Sequence, residues 1–259
     1  MIIKRDFIYT PKGTNRPLHI YLPDHYFDTE DRYPVMYFFD GHNLYFDEDA
    51  TYGKSWGLKE FLDSWDKEMI VVGIECGHDG EERLSEYLPY TANKGSHFAN
   101  FQPKGDETMQ WILSEVKPLI DLEYRTIPFR ECTGIAGSSM GGLMALYAVV
   151  HYNRWFSKGG CVSSAIGFCM RPLMSDLRKN RVSPDTRVYL SWGSREAYGI
   201  QDPEKDDRSS KTYTWNKKVA DQLLSNSAAV KMHCQVGGGH CEADWEKLVP
   251  MFMNYLWTE

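Results

Sequence analysis

Short unbroken apolar runs, bounded by glycine, proline or charged residues, alternate along this chain with longer stretches whose apolar residues recur at helical spacing. Pro34-Val35-Met36-Tyr37-Phe38-Phe39 is one such run and stops at Asp40-Gly41; Met69-Ile70-Val71-Val72-Gly73-Ile74 is a second. Runs of this length with no polar alternation fit strands covered on both faces. Cys132-Thr133-Gly134-Ile135-Ala136 reads as a third, Gly159 to Ser163 as a weaker fourth, and Arg187 to Trp192 and Lys231 to Val236 as the last two. Helical spacing marks Trp56 to Trp65, residues 106–123, Gly142 to Val150, and segments near 215–225 and 244–257. Within 106–123, Met109, Ile112, Leu113, Val116 and Ile120 share a face, and Pro118 is expected to kink or break the helix. Residues 2–9 and 17–22 read as an antiparallel entry hairpin around a Pro-Lys-Gly turn.

This alternation predicts an α/β fold: a mostly parallel central sheet with helices on both faces. No repeat, low-complexity tract or linker divides residues 1–259, so the chain reads as one domain. The short gap between the fourth strand and Arg187 leaves little room for a separate lid domain. Two connections are longer than usual, 77–105 and 194–214, and long loops at the carboxyl ends of strands are natural pocket walls. The first carries Arg83, Tyr87, Tyr90, His97 and Phe98; Arg83 and Tyr87 are the residues expected nearest to substrate.

Chemistry enters with Gly137-Ser138-Ser139-Met140-Gly141, the one G-x-S-x-G of the chain. A strand precedes it and a helix follows. That is the context of a nucleophile elbow, in which a sharp turn lifts a serine hydroxyl above the sheet. The alternative is an ordinary Gly/Ser turn before a helix. A serine nucleophile needs a base, and His240 follows Gly237-Gly238-Gly239 after the last strand, in the chain order an α/β-hydrolase requires. The orienting acid is expected after the penultimate strand. Glu196 stands closest to that strand end, with Asp202, Glu204, Asp206 and Asp207 as rivals in a charged loop. Glu242 and Asp244 could cap the final helix instead. Two backbone N–H groups are expected to hold an oxyanion, on Met140 and on His42, which leaves the His42 side chain for pocket lining or, as a minor alternative, a metal.

Composition narrows the classes. A net charge of −7 argues against nucleic acid and anionic membrane surfaces as partners. The N-terminus lacks an apolar signal core, and no apolar run approaches a membrane span, so a cytoplasmic location is expected. Six cysteines in that setting are expected to be reduced, with Cys132 and Cys161 in core strands. His233-Cys234 and His240-Cys241 hint at a metal site, although strand alternation explains the first pair as well. Nothing in the chain decides between monomer and homodimer.

The stretches YPVMYFFDGHNLYFD, MIVVGIE, TGIAGSSMGGLMALYAVV, VYLSWGSRE and VGGGHCEADWEKLVPMFMNYL together resemble the esterase branch of the α/β-hydrolases that holds esterase D, enterochelin esterases, feruloyl and acetylxylan esterases and mycolyltransferase-like proteins. The resemblance implies a triad of Ser139, Glu196 and His240, with the oxyanion held by the backbone of Met140 and His42. The resemblance does not choose a substrate. A Ser-His-acid triad needs no cofactor or metal, and the leading reading is a carboxylic ester hydrolase acting on small acyl, acetyl or feruloyl-type esters. Relatives often carry Asp where Glu196 stands. An acyltransferase on the same scaffold and a siderophore-ester hydrolase are the alternatives, and a non-catalytic binding protein the third. The acidic net charge lends no support to a polyanionic iron chelate, though Arg83, Lys94 and Lys104 could supply local positive charge.

Overall fold

The chain is described by a computed structural model covering residues 1–206 and 208–258. Its strands are β1 (Ile2–Arg5), β2 (Ile8–Tyr9), β3 (Thr14–Asn15), β4 (Leu18–Tyr21), β5 (Val35–Phe39), β6 (Ile70–Ile74), β7 (Thr133–Ser138), β8 (Lys158–Val162), β9 (Arg187–Gly193) and β10 (Ala229–Gln235). Eight of them form one sheet in the order β1-β4-β6-β5-β7-β8-β9-β10. From β6 to β10 every neighbouring pair is parallel; β4 runs antiparallel to both β6 and β1. The entry hairpin is therefore present, with Ile2 opposite Tyr21, but β2 and β3 form a small separate ribbon at its tip.

The helices are α1 (Leu58–Ser64), α2 (Glu82–Glu86), α3 (Gly105–Trp111), α4 (Lys117–Glu123), α5 (Met140–His151), α6 (Met170–Lys179), α7 (Lys211–Ser225), α8 (Glu242–Trp245) and α9 (Val249–Trp257). The unbroken apolar runs split their side chains between two cores, as the two-residue period of a strand requires. Val35, Tyr37 and Phe39 enter the core that includes Leu143, Met144 and Leu223; Met36 and Phe38 enter the one that includes Leu58, Phe252 and Leu256. Helix α5 crosses the sheet centre with every residue from Met140 to Val150 buried, so it carries no polar stripe.

Pro118 acts one turn upstream of itself. It cannot donate a backbone hydrogen bond, and a π turn at Ile112–Val116 joins α3 to α4 in front of it. The 77–105 connection is less irregular than expected, because α2 and a 3₁₀ turn at His97–Asn100 lie inside it. Cys161 is a buried β8 residue, but Cys132 lies in a 3₁₀ turn before β7 and is only half-buried, which corrects its expected place in a core strand. Between β8 and β9 the chain makes one 3₁₀ turn and α6. Among the described residues no helix is long and apolar enough to cross a membrane.

Candidate active site

Because β5 to β10 are parallel, their carboxyl ends open on one edge of the sheet, where α/β folds bind ligands. Ser139 follows β7 directly, Glu196 follows β9 and His240 follows β10.

Ser139 has φ 55° and ψ −118°, a strained conformation for a residue with a side chain. Hydrogen bonds hold it from both sides: its N–H donates to the Val162 carbonyl at 3.0 Å, and its own carbonyl accepts from Ala165 at 2.9 Å and Leu143 at 3.1 Å. Tightness explains the flanking glycines. A Cβ on Gly137 would lie 2.7 Å from the Gly141 carbonyl carbon, and one on Gly142 would lie 2.7 Å from the Val162 carbonyl oxygen.

His240 Nδ1 bonds Glu196 Oε2. The other carboxylate oxygen, Oε1, accepts from the Gly193 N–H at 2.6 Å and from the Ser163 hydroxyl at 2.6 Å. Ser163 Oγ in turn accepts from Trp245 Nε1 at 3.0 Å, and the Trp245 ring meets the His240 ring edge to face with centroids 5.0 Å apart. Glu196 is thus satisfied on both oxygens and oriented by three elements. Its rivals are turned outward: Asp202 pairs with Lys205 at 2.9 Å, Glu204 with Arg195 at 3.0 Å and Asp206 with Arg208 at 3.8 Å. Asp207 lies outside the described residues. The glycine loop before His240 is pinned: Arg195 N–H donates to the Gly238 carbonyl at 2.9 Å, Gly237 N–H to Ser194 Oγ at 2.7 Å, and Gly239 N–H to Asp244 Oδ2 at 2.8 Å.

The loop after β5 is held just as closely. Asp40 takes a left-handed φ of 59°, and Gly41 crosses Gly73 so tightly that a Cβ would sit 2.5 Å from the Gly73 carbonyl carbon. Arg83 grips the Asp40 carboxylate at both oxygens, 2.7 Å each, and the Tyr87 hydroxyl accepts from the Asp40 N–H at 3.2 Å. Burial would raise the Asp40 carboxyl, but the Arg83 guanidinium outweighs it and holds the group below the usual carboxylate range. The His42 N–H at this loop and the Met140 N–H at the start of α5 stand in the first turns of their helical segments, where backbone donors have no intrahelical acceptor. Burial pushes the His42 imidazole down, towards its neutral form.

Two hollows meet at Ser139 and His240. One, of 460 Å³, is the more polar of the two and includes Asp40, Cys76, Arg83 and Glu242. The other, of 390 Å³, is walled by Phe98, Ile166, Phe168, Trp192, Tyr198 and Trp215. Arg83 reaches the first, with its guanidinium already engaged. Tyr87 reaches neither. It is 1% exposed and packs on Phe39 with centroids 4.9 Å apart, which corrects its expected place on the pocket wall: its ring supports the Asp40 turn from within the core.

Three residues escaped the sequence reading. Ser163 and Trp245 meet Glu196 and His240 only through the fold, and no spacing announces them. Glu242 is 5% exposed and sits in the polar hollow, where burial pushes its carboxyl up; its place at the start of α8 equally fits a helix cap. The pairs His233-Cys234 and His240-Cys241 do not form a common ligand cluster among the described residues.

Residues 11–255 match the family described as Putative esterase. The uncharacterized protein YbbA of Bacillus subtilis is 27% identical over 71% of this chain and 70% of its own length. Esterase Rv1288 of Mycobacterium tuberculosis is 30% identical over 56% of this chain but only 28% of its own. Among solved structures, the enterobactin esterase FES from Shigella flexneri superposes with a TM-score of 0.73 at 19% identity, covering 99% of this chain and 58% of that one. This last likeness concerns the fold.

Proposed function

Because the chain belongs to the Putative esterase family and is a carboxylic ester hydrolase, we propose that it works through a serine acyl-enzyme formed at Ser139. The observation that carries this reading is the hydrogen-bonded line from Trp245 through Ser163 and Glu196 to His240, which ends in the cleft that also holds Ser139. With its Nδ1–H held by Glu196, His240 presents a basic Nε2 to the cleft. Nε2 takes the Ser139 proton as Oγ attacks the ester carbonyl carbon. The N–H groups of His42 and Met140 receive the negative charge that develops on the carbonyl oxygen. His240 then returns the proton to the leaving alcohol. Water repeats the sequence on the acyl-enzyme and frees the acid. Glu196 keeps its hydrogen bond to Nδ1 and stabilises the imidazolium that forms.

For substrate, the aromatic walls of the second hollow favour an ester carrying a flat ring, of feruloyl or other aryl-acyl type, over a plain acetyl ester. Its 390 Å³ suits one substituted ring. The polar hollow takes the other half of the ester.

The test is a panel of acetyl, butyryl and aryl-acyl esters run beside mass spectrometry of the intact protein. Quenching a slow aryl-acyl substrate should show one added acyl group, which peptide mapping places on Ser139. A protein that turns over esters without ever carrying the acyl group there rules out the covalent route.

A further inference from the structure

Beyond ester hydrolysis, we propose that His42, Cys76 and His78 form a binding site for one borderline-soft divalent cation of the Zn²⁺ class, set in the polar hollow beside the serine.

The site is a product of the sheet. His42 follows β5, and Cys76 and His78 follow the neighbouring parallel strand β6, so adjacent carboxyl ends bring the three together. Each offers one ligand atom, and these atoms all lie within 4.8 Å of one another. All three residues also line the polar hollow. Two imidazoles and a thiolate form a three-ligand set that leaves a fourth position open, and this softness selects Zn²⁺ or Co²⁺ over Mg²⁺ and Ca²⁺.

The surrounding atoms prepare the rings for this role. His42 Nε2 bonds Thr51 Oγ1 at 2.9 Å, while its Nδ1 is buried with no hydrogen-bond partner although the residue is only 7% exposed. A buried polar nitrogen without a partner is costly, and a cation would satisfy it. His78 Nε2 bonds Glu75 Oε2 at 2.8 Å, which leaves Nδ1 as the ring atom to offer a ligand. Glu75 is itself fixed by His19 Nε2, 2.6 Å from its Oε1. A carboxylate behind a histidine is the arrangement that orients metal-bound imidazoles. A further hollow of 530 Å³ opens on the same His42 and His78 and gives an ion an approach from solvent. Around tetrahedral Zn²⁺ such atoms stand about 3.3–3.7 Å apart, so any pair standing wider than this, up to the 4.8 Å limit, draws in on binding. His78, with its side chain 55% exposed, is free to make that movement.

The step balances simply. The Cys76 S–H bond breaks, its electron pair forms the metal–sulfur bond, and one proton passes to the buffer; nothing is oxidised or reduced. The ion uses the ring of His42, whereas the proposed oxyanion contact uses its backbone N–H, so the two assignments stand or fall separately.

Co²⁺ is the probe, because a thiolate ligand adds a near-ultraviolet sulfur-to-metal charge-transfer band to the visible ligand-field bands. Chelator-treated protein titrated with Co²⁺ should develop that band at one equivalent, and Zn²⁺ should abolish it. Cys76→Ser should lose the charge-transfer band. Glu75→Gln should weaken Co²⁺ binding by about 10–100-fold, and His78→Ala by at least as much. Cys241→Ser, at the exposed thiol, should leave the band unchanged. Circular dichroism checks each fold, and the exposed His78 variant carries the test if Cys76→Ser does not fold. No charge-transfer band, a band that survives His78→Ala at full affinity, or one that disappears with Cys241→Ser would each overturn the site.

Discussion

At the scale of single residues, the proposed mechanism bears most directly on the Glu196 carboxylate. Each of its oxygens has a separate task, Oε2 on His240 and Oε1 on Gly193 and Ser163. Glu196→Gln keeps the shape but places an uncharged amide against Nδ1, so it neither stabilises the imidazolium nor enforces the tautomer. The expected result is a fall in kcat of about 10⁴-fold. Asp202→Asn, on a rival carboxylate paired with Lys205, should stay near the parent rate. Reversed outcomes in a steady-state ester assay would move the acid along the loop. Ser163→Ala removes a hydrogen bond to a charged group, worth about 1.5–3 kcal/mol. It should lower kcat about 10–100-fold with KM little changed, and an unchanged kcat would show that Gly193 alone holds Oε1. The Ser139 elbow was legible because strain leaves a sequence signature: the close approach of Gly137 and Gly141 forbids side chains. Ser163 and Trp245 were illegible because a hydrogen bond between residues 82 positions apart has none.

At the scale of elements, a carboxylate of α3 ties down the elbow helix. Asp106 in α3 accepts from Tyr147 at 2.6 Å within α5 and from Tyr152 at 2.5 Å just past its end. Partial burial opposes its ionisation, but the two hydroxyls prevail and hold its carboxyl below the ordinary 3.8. A folded-state value below the unfolded one means stability that is fully present above about pH 4 and lost as pH falls through the folded value. Asp106→Asn should therefore melt below the parent at neutral pH, and the two melting temperatures should converge under acid. A gap that persists unchanged to pH 2.5 would show that the charge is not the source. The same logic of close approach applies to Gly137→Ala, whose new methyl has no space. A cost of about 1–3 kcal/mol in denaturant melts is expected, with ester turnover lost alongside it. Element identities followed from the apolar pattern, while boundaries did not. Helix α7 begins at Lys211, ahead of its apolar stripe, because Ser210 Oγ accepts from the Tyr213 N–H at 3.1 Å.

Over the whole molecule, the proposed aryl selectivity is expected to come from the aromatic wall of the second hollow. Trp215→Ala removes an aromatic face from the 390 Å³ hollow and should reduce kcat/KM for aryl-acyl esters by about 10–100-fold, from the value of one buried large side chain. Acetyl esters should be much less affected. Equal losses on both would mean that the aryl group binds elsewhere. Tyr87→Ala should instead lower the melting temperature by opening the core beneath Asp40, without reordering the ester panel.

The α/β order of elements, the sharp Gly-Ser turn after β7 and the strand ends that carry Ser139, Glu196 and His240 can all be read from the chain. Each of these is carried by local facts: a two-residue or 3.6-residue apolar period, a turn that tolerates only glycine, and the loop that follows a given strand. The chain ranks Glu196 first among the loop acids, and the fold brings it, rather than Asp202, Glu204 or Asp206, to His240; only the fold turns Tyr87 into the core and gathers His42, Cys76 and His78 at one corner of the cleft. The reason is geometric. Parallel strands connected through helices bring together loops from different parts of the chain, and the pairing of their side chains depends on sheet order and register, which no local pattern encodes.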